Sequence, residues 1–151
     1  MSKMPETMYF AYGSNLSFSQ MDERCSDYIQ MGMGILHGYR WIISSRGYAN
    51  VVKSEPDYVM GRIYKISKSD ESSLDKSEAV AAVYSGYDKK ILPITADSVS
   101  YDCLVYVDPV TQEGPPKNEY VNRINLGLAD SEFPTAYVEK YIRSKIPLAK
   151  Q

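Results

Sequence analysis

Apolar and polar positions change rhythm several times along this chain, and the changes mark its elements. Residues 8–12 form an aromatic apolar run that breaks into glycine, serine and asparagine at 13–15, as a buried strand does on delivering a polar loop. Gly13 supplies the backbone freedom that a sharp turn needs. Ser17-Phe18-Ser19-Gln20 has capping-box spacing, so a short helix is expected over 18–25, with Phe18, Met21 and Cys25 facing inward. Residues 31–45 alternate small, apolar and aromatic side chains (Ile35, Leu36, Tyr39, Trp41, Ile42, Ile43), which predicts one long or bent strand with glycines at its bends. A turn at Arg46-Gly47, a short strand over 49–52, a second turn over 54–57 and a strong strand over 58–66 follow.

The rhythm becomes helical at 67–80, where Ser69 is the expected N-cap, Asp70 and Glu71 suit the positive helix end, Leu74 anchors the inner face and the helix ends near 77 or 78. After a tight connection around Gly86, strands are expected over 90–94 and 101–107, separated by the polar segment 96–100. Three prolines and a glycine make 108–117 a loop of limited freedom. Helices are expected over 119–128 and 134–144, the second with Pro134 in its first turn. Strands first and longer helices last predict an α+β domain spanning 1–151, its sheet curling toward a small mixed β-barrel with flanking helices.

Composition narrows the choice of partner. Seventeen basic and nineteen acidic residues give a net charge of -2 without a basic run, so neither nucleic acid nor an anionic membrane is an expected partner. No apolar stretch approaches a membrane span, and a small molecule is the expected ligand. Two cysteines far apart, Cys25 and Cys103, form no metal or redox motif and read as reduced, buried thiols of a cytoplasmic protein. His37 is the only histidine, so neither a nucleophile–base pair nor a metal site can be assembled with conviction, and no metal or cofactor is expected. Fourteen tyrosines against three phenylalanines and one tryptophan offer both core bulk and hydroxyls for a pocket wall. Taken alone, the turn at 13–15 reads first as an ordinary connection. Its strand, glycine turn and helix start also leave backbone N–H groups converging on one spot, suited to a carboxylate, a phosphate or an oxyanion.

The run Tyr9-Phe10-Ala11-Tyr12-Gly13-Ser14-Asn15-Leu16, followed by Gly61-Arg62-Ile63-Tyr64-Lys65-Ile66 and then Leu74-Asp75-Lys76-Ser77-Glu78, resembles the γ-glutamylcyclotransferase family in order and spacing. Tyr106 and Tyr120, flanking Gly114-Pro115-Pro116, match the tyrosine pair that this family places beside its substrate. The resemblance implies a small mixed barrel, substrate held by the backbone of 9–16, and Glu78 as the acid/base. It implies a cofactor-free enzyme in which the α-amine of a γ-glutamyl compound attacks its own γ-carbonyl, forming 5-oxoproline and expelling an amino acid or amine. A γ-glutamyl amine or a biosynthetic γ-glutamyl protecting group is the alternative substrate, and a binding module without turnover is the non-enzymatic alternative. A homodimer is compatible with any of these. Ala79 stands where many relatives have glycine, and the segment from Ala79 to Gly86 is slightly longer than theirs, which bears on the leaving-group side of the pocket.

Overall fold

The computed structural model describes residues 4–77 and 86–148. Five strands, β1 (Thr7–Ala11), β2 (Ile29–Ile43), β3 (Ala49–Ile66), β4 (Asp88–Ala96) and β5 (Val99–Val107), close into a barrel in the order β1-β3-β2-β4-β5. The helices are α1 (Phe18–Arg24), α2 (Lys68–Ser77), α3 (Asn118–Ala129) and α4 (Thr135–Tyr137), and a π-helical stretch (Val138–Ile142) continues α4. The expected α+β barrel with flanking helices is what forms.

Side-chain alternation divides the interior from the flank. Phe10, Leu36, Val59, Ile63, Ile94, Cys103 and Val105 belong to one buried cluster to which all five strands contribute, the barrel interior. Tyr9, Ala11, Tyr64, Ile66, Leu104 and Tyr106, of the opposite parity on β1, β3 and β5, pack outward against Met21 and Cys25 at α1 and Leu74 of α2. Tyr137, Tyr141, Ile142 and Ile146 from the C-terminal helical segment join the interior cluster. The backbone of Met60 donates to the Tyr137 hydroxyl at 3.0 Å, and the Tyr141 hydroxyl donates to Asp57 at 2.8 Å.

Four local expectations are corrected. β3 is one strand of 18 residues, not two strands and a turn. Its register against β2 passes from Tyr39↔Lys53 to His37↔Tyr58, so 54–57 bulge opposite Gly38, which has φ 80°. The turn chemistry is therefore present, with Ser54 bonded to Asp57, but it is absorbed as a bulge within one hairpin. The cap of α2 is Ser67 rather than Ser69: its hydroxyl accepts from the Asp70 amide at 3.1 Å while Asp70 accepts from the Ser67 amide at 3.2 Å, a reciprocal capping box. The segment 96–100 is a two-residue turn at Asp97-Ser98, both with positive φ, between strands longer than expected. Pro134 stands at the N-cap of α4, and the helical geometry widens from Val138 instead of continuing as an α-helix to 144.

Close backbone approach explains Gly61. It pairs with Gly34 across β2 and β3, and an added Cβ would lie 2.3 Å from the Ala11 carbonyl oxygen and 2.6 Å from the Phe10 ring. Gly61→Ala must push β1 off β3, so a loss of about 1–3 kcal/mol is expected from overpacking, measured as a lower urea midpoint.

Candidate active site

β1 pairs antiparallel with β3 and parallel with β5, so the C-terminal ends of β1 and β5 leave the barrel at one rim. A cavity of about 260 Å³ opens there. From the first motif it is lined by Tyr9, Phe10, Tyr12, Gly13, Ser14 and Asn15. The two tyrosines singled out in the sequence, Tyr106 at the end of β5 and Tyr120 in the first turn of α3, line it as well. Ala11 and Leu16, from the same run, are not among the lining residues and are buried in packing.

Hydrogen bonds fix this corner. The Trp41 indole donates to the Tyr12 carbonyl at 2.9 Å, and the Tyr12 hydroxyl donates to the Tyr106 carbonyl at 2.6 Å, so one residue ties β1 to both β2 and β5. Residues Ser14–Leu16 form a single 3-10 turn in which the Leu16 amide reaches the Gly13 carbonyl at 3.0 Å. The amides of Ser14 and Asn15 start that turn and have no acceptor within it, as at any helix start. Asn15 is held on three sides: its side-chain amide donates to the Tyr9 hydroxyl (2.8 Å), its side-chain oxygen accepts from Arg24 (3.0 Å) and its carbonyl accepts from Tyr64 (2.9 Å). The Asn15 side chain is therefore engaged in holding the loop, and the backbone amides at 13–15 and the Ser14 side chain are what the loop offers beside it. The N-cap role read for Ser17 holds, with its hydroxyl accepting from the Gln20 amide at 3.4 Å; the Gln20 side chain instead reaches Glu23, so the box is half closed.

A side chain at 13 would meet the Tyr120 hydroxyl at 2.8 Å and Ala49 at 3.3 Å, so glycine there lets Tyr120 lean across the loop. Tyr120 is braced edge-on by Tyr48, ring centres 5.1 Å apart, and Lys117 covers the Tyr48 ring at 5.2 Å. Tyr106 stands edge-on to Tyr9 at 5.8 Å and donates its hydroxyl proton to Asp75 of α2 at 2.7 Å. Burial and the Asp75 carboxylate hold this phenol well above its ordinary pKa, so it remains protonated.

Sequence reasoning missed Arg24, Tyr48, Ala49, Tyr87 and Arg123, which also line the cavity. Arg123 follows Tyr120 by three residues on α3, a helical spacing that could have flagged it. Arg24 ends the helix launched by the motif loop. Among the described lining residues there are two arginines and no carboxylate. Glu78, the acid/base implied by resemblance, lies outside the described residues. Ser77, directly before it and the last residue of α2, lines the cavity.

Neither cysteine belongs to the site. Both are buried free thiols, and burial pushes Cys25 up to about 12 and Cys103 up to about 11. A raised thiol pKa means that the nucleophilic thiolate is absent until the pH approaches those values. The folded protein at pH 8 is accordingly expected to leave both thiols unreacted with a disulfide reagent over minutes, and to expose two on unfolding; rapid labelling of the native protein would contradict the burial.

Comparisons with known proteins give the family and the fold. A family profile described as "Gamma-glutamyl cyclotransferase, AIG2-like" matches residues 9–124, and the chain belongs to that family. Proteins named gamma-glutamylcyclotransferase from Mus musculus and Homo sapiens are 29% and 28% identical to it over 144 residues, covering 88% of this chain and 76% of each of theirs. A solved structure of an uncharacterized protein from Homo sapiens superposes with TM-score 0.81 at 24% identity, and one titled "Gamma-glutamyl cyclotransferase" with TM-score 0.79 at 24% identity. Each covers 96% of this chain over 90% of its own length and shares its fold.

Proposed function

We propose that this member of the family is a γ-glutamylcyclotransferase that converts a γ-glutamyl amino acid or related amide to 5-oxoproline and the free amino acid or amine. The observation that carries the reading is convergence. The loop at 13–15, Tyr106, Tyr120 and the end of α2 come from four separated stretches of sequence and line one cavity.

The reaction needs little from the protein because the nucleophile is already in the substrate. The α-ammonium passes a proton to Glu78, the neutral nitrogen attacks the γ-carbonyl carbon, and a five-membered ring closes through a tetrahedral oxyanion. Attack leaves the ring nitrogen cationic and it gives up its second proton. The original C–N bond breaks as its nitrogen takes up the proton held by Glu78, the released amine carries the other proton away as its ammonium form, and no water is consumed. One carboxylate can serve both steps if its protonation can change near neutral pH. Holding the substrate folded back can contribute on the order of 7–11 kcal/mol relative to free encounter. The amides of Gly13, Ser14 and Asn15 are suited to the ligand's carboxylate or carbonyl oxygens, and a donor aimed at the oxyanion contributes about 3 kcal/mol. Arg24 and Arg123 suit ligand carboxylates by charge. A cytoplasmic setting belongs to the same reading and is supported by the two unpaired thiols.

Glu78→Gln is expected to keep the melting temperature and the calorimetric affinity for a γ-glutamyl dipeptide while slowing 5-oxoproline release by about 10²–10⁴-fold. Product formation by that variant at the parent rate removes Glu78 from the mechanism. A panel of γ-glutamyl amino acids and γ-glutamyl amines, read by mass spectrometry of 5-oxoproline, identifies the leaving group.

A further inference from the structure

We propose that Asp75 is a positioning residue that acts through Tyr106: by accepting the hydroxyl's one hydrogen bond, it makes Tyr106 present only lone pairs to the cavity, where it accepts from a ligand N–H. The inference rests on the reading of the cavity as a γ-glutamyl site and assigns an orientation within it.

A tyrosine hydroxyl has one proton and two acceptor positions, so the direction of its single donated bond decides what it can offer elsewhere. In Tyr106 that proton goes to the Asp75 carboxylate at 2.7 Å. Asp75 is itself held, since Lys89 on β4 bridges it at 3.1 Å and also pairs with Glu71 one turn earlier on α2. Although partial burial opposes the charged ammonium, the two carboxylates hold Lys89 above its ordinary pKa, so the lysine stays charged at neutral pH. Tyr106 is 3% exposed and its ring is packed against Tyr9, which leaves it little freedom to swing to another partner. Toward the cavity that Tyr106 lines, its oxygen is then an acceptor only.

This polarity divides the ligand. Groups that need hydrogen-bond donors, the carboxylate and the carbonyl oxygen, fit the Gly13 to Asn15 amides and the arginines. The group that supplies N–H donors, the α-amine, fits Tyr106, on the wall where α2 ends in Ser77, directly before Glu78. A hydroxyl free to turn would instead offer its proton to the attacking nitrogen and occupy the lone pair that must attack. Asp75 removes that competing arrangement.

The test is a two-by-two cycle of Asp75→Asn and Tyr106→Phe on γ-glutamyl-alanine, with product read as 5-oxoproline. Asparagine keeps the shape but has a single acceptor oxygen, which the Lys89 ammonium 3.1 Å from this position claims, so its NH2 faces the tyrosine oxygen and the hydroxyl proton is released. Asp75→Asn is expected to lower kcat/KM about tenfold in the parent protein, as for loss of a hydrogen bond to a charged group, and less than about twofold once Tyr106 is phenylalanine. An equal loss in both backgrounds overturns the proposal, because Asp75 would then act without Tyr106. A second readout needs no turnover: in protein carrying 13C-labelled tyrosine, the hydroxyl-bearing ring carbon of Tyr106, identified by its absence in Tyr106→Phe, shifts on Asp75→Asn. An unmoved resonance in a folded variant also overturns it. A parent protein that binds γ-glutamyl-alanine yet forms no 5-oxoproline sinks the functional reading instead, and the resonance then decides the Tyr106–Asp75 polarity by itself.

Discussion

Because β1 runs parallel to β5, with Tyr9 opposite Leu104, the two strands that close the barrel discharge their loops through the same rim. An antiparallel closure would have sent the Gly13 loop and the Tyr106 end to opposite ends of the barrel, and no cavity could join them. Among the described strand pairs this parallel contact is the exception, and it comprises one bridging pair of residues. Side chains reinforce it: the Tyr12 hydroxyl reaches across to the Tyr106 carbonyl while the Tyr12 carbonyl is held by Trp41 from the far side. The cavity wall and the barrel seam thus share residues, so a change that loosens the seam also reshapes the cavity.

The loop after β1 is built before any ligand arrives. Arg62 is buried inside β3 and donates to the Leu16 carbonyl at 2.6 Å and to the Asp130 carbonyl at 2.6 Å, stitching the loop to the end of α3, with its guanidinium 4.3 Å over the Phe18 ring. Tyr64, Tyr9 and Arg24 hold Asn15 from the other side. Fixing backbone amides in advance means that binding does not have to order them, which is how a short loop can contribute substantial affinity. The amide side chain of Asn15 braces the loop through Tyr9 and Arg24, and the sequence alone could not distinguish a binding asparagine from a bracing one.

What was legible in the chain follows the range of the forces involved. Strand and helix identity came from alternation and capping, which are local, so β1, α1 and α3 fell within a residue or two of expectation. The 54–57 segment misled because Ser54, Pro56 and Asp57 carry turn chemistry, while the decision to continue β3 belongs to its pairing with β2 on both sides of the bulge. Ser69 and Ser67 are both competent caps by type; Ser67 wins because Asp70 sits three residues on and can return the bond. In the site, the motif loop, Tyr106 and Tyr120 were found through the family resemblance that their order and spacing carry. Tyr48 and Tyr87 were not, because fourteen tyrosines give no contrast and only the closed barrel selects which of them face the cavity.

The charge of the described lining also bears on how the reaction starts. A γ-glutamyl compound enters with its α-amine protonated, and the attack requires that proton to leave. In the proposed mechanism, the two guanidinium groups that line the cavity would favour the ligand's carboxylate over its ammonium and so lower the proton affinity of the bound amine. Asp75, which would oppose that effect, has its charge shared between Lys89 and the Tyr106 hydroxyl. The field of the cavity and the base then act in the same direction, so the base need not be strong enough to deprotonate an ordinary ammonium. For the proposed acid/base a carboxylate of moderate basicity is the better choice, since the same group would return the proton to the departing nitrogen.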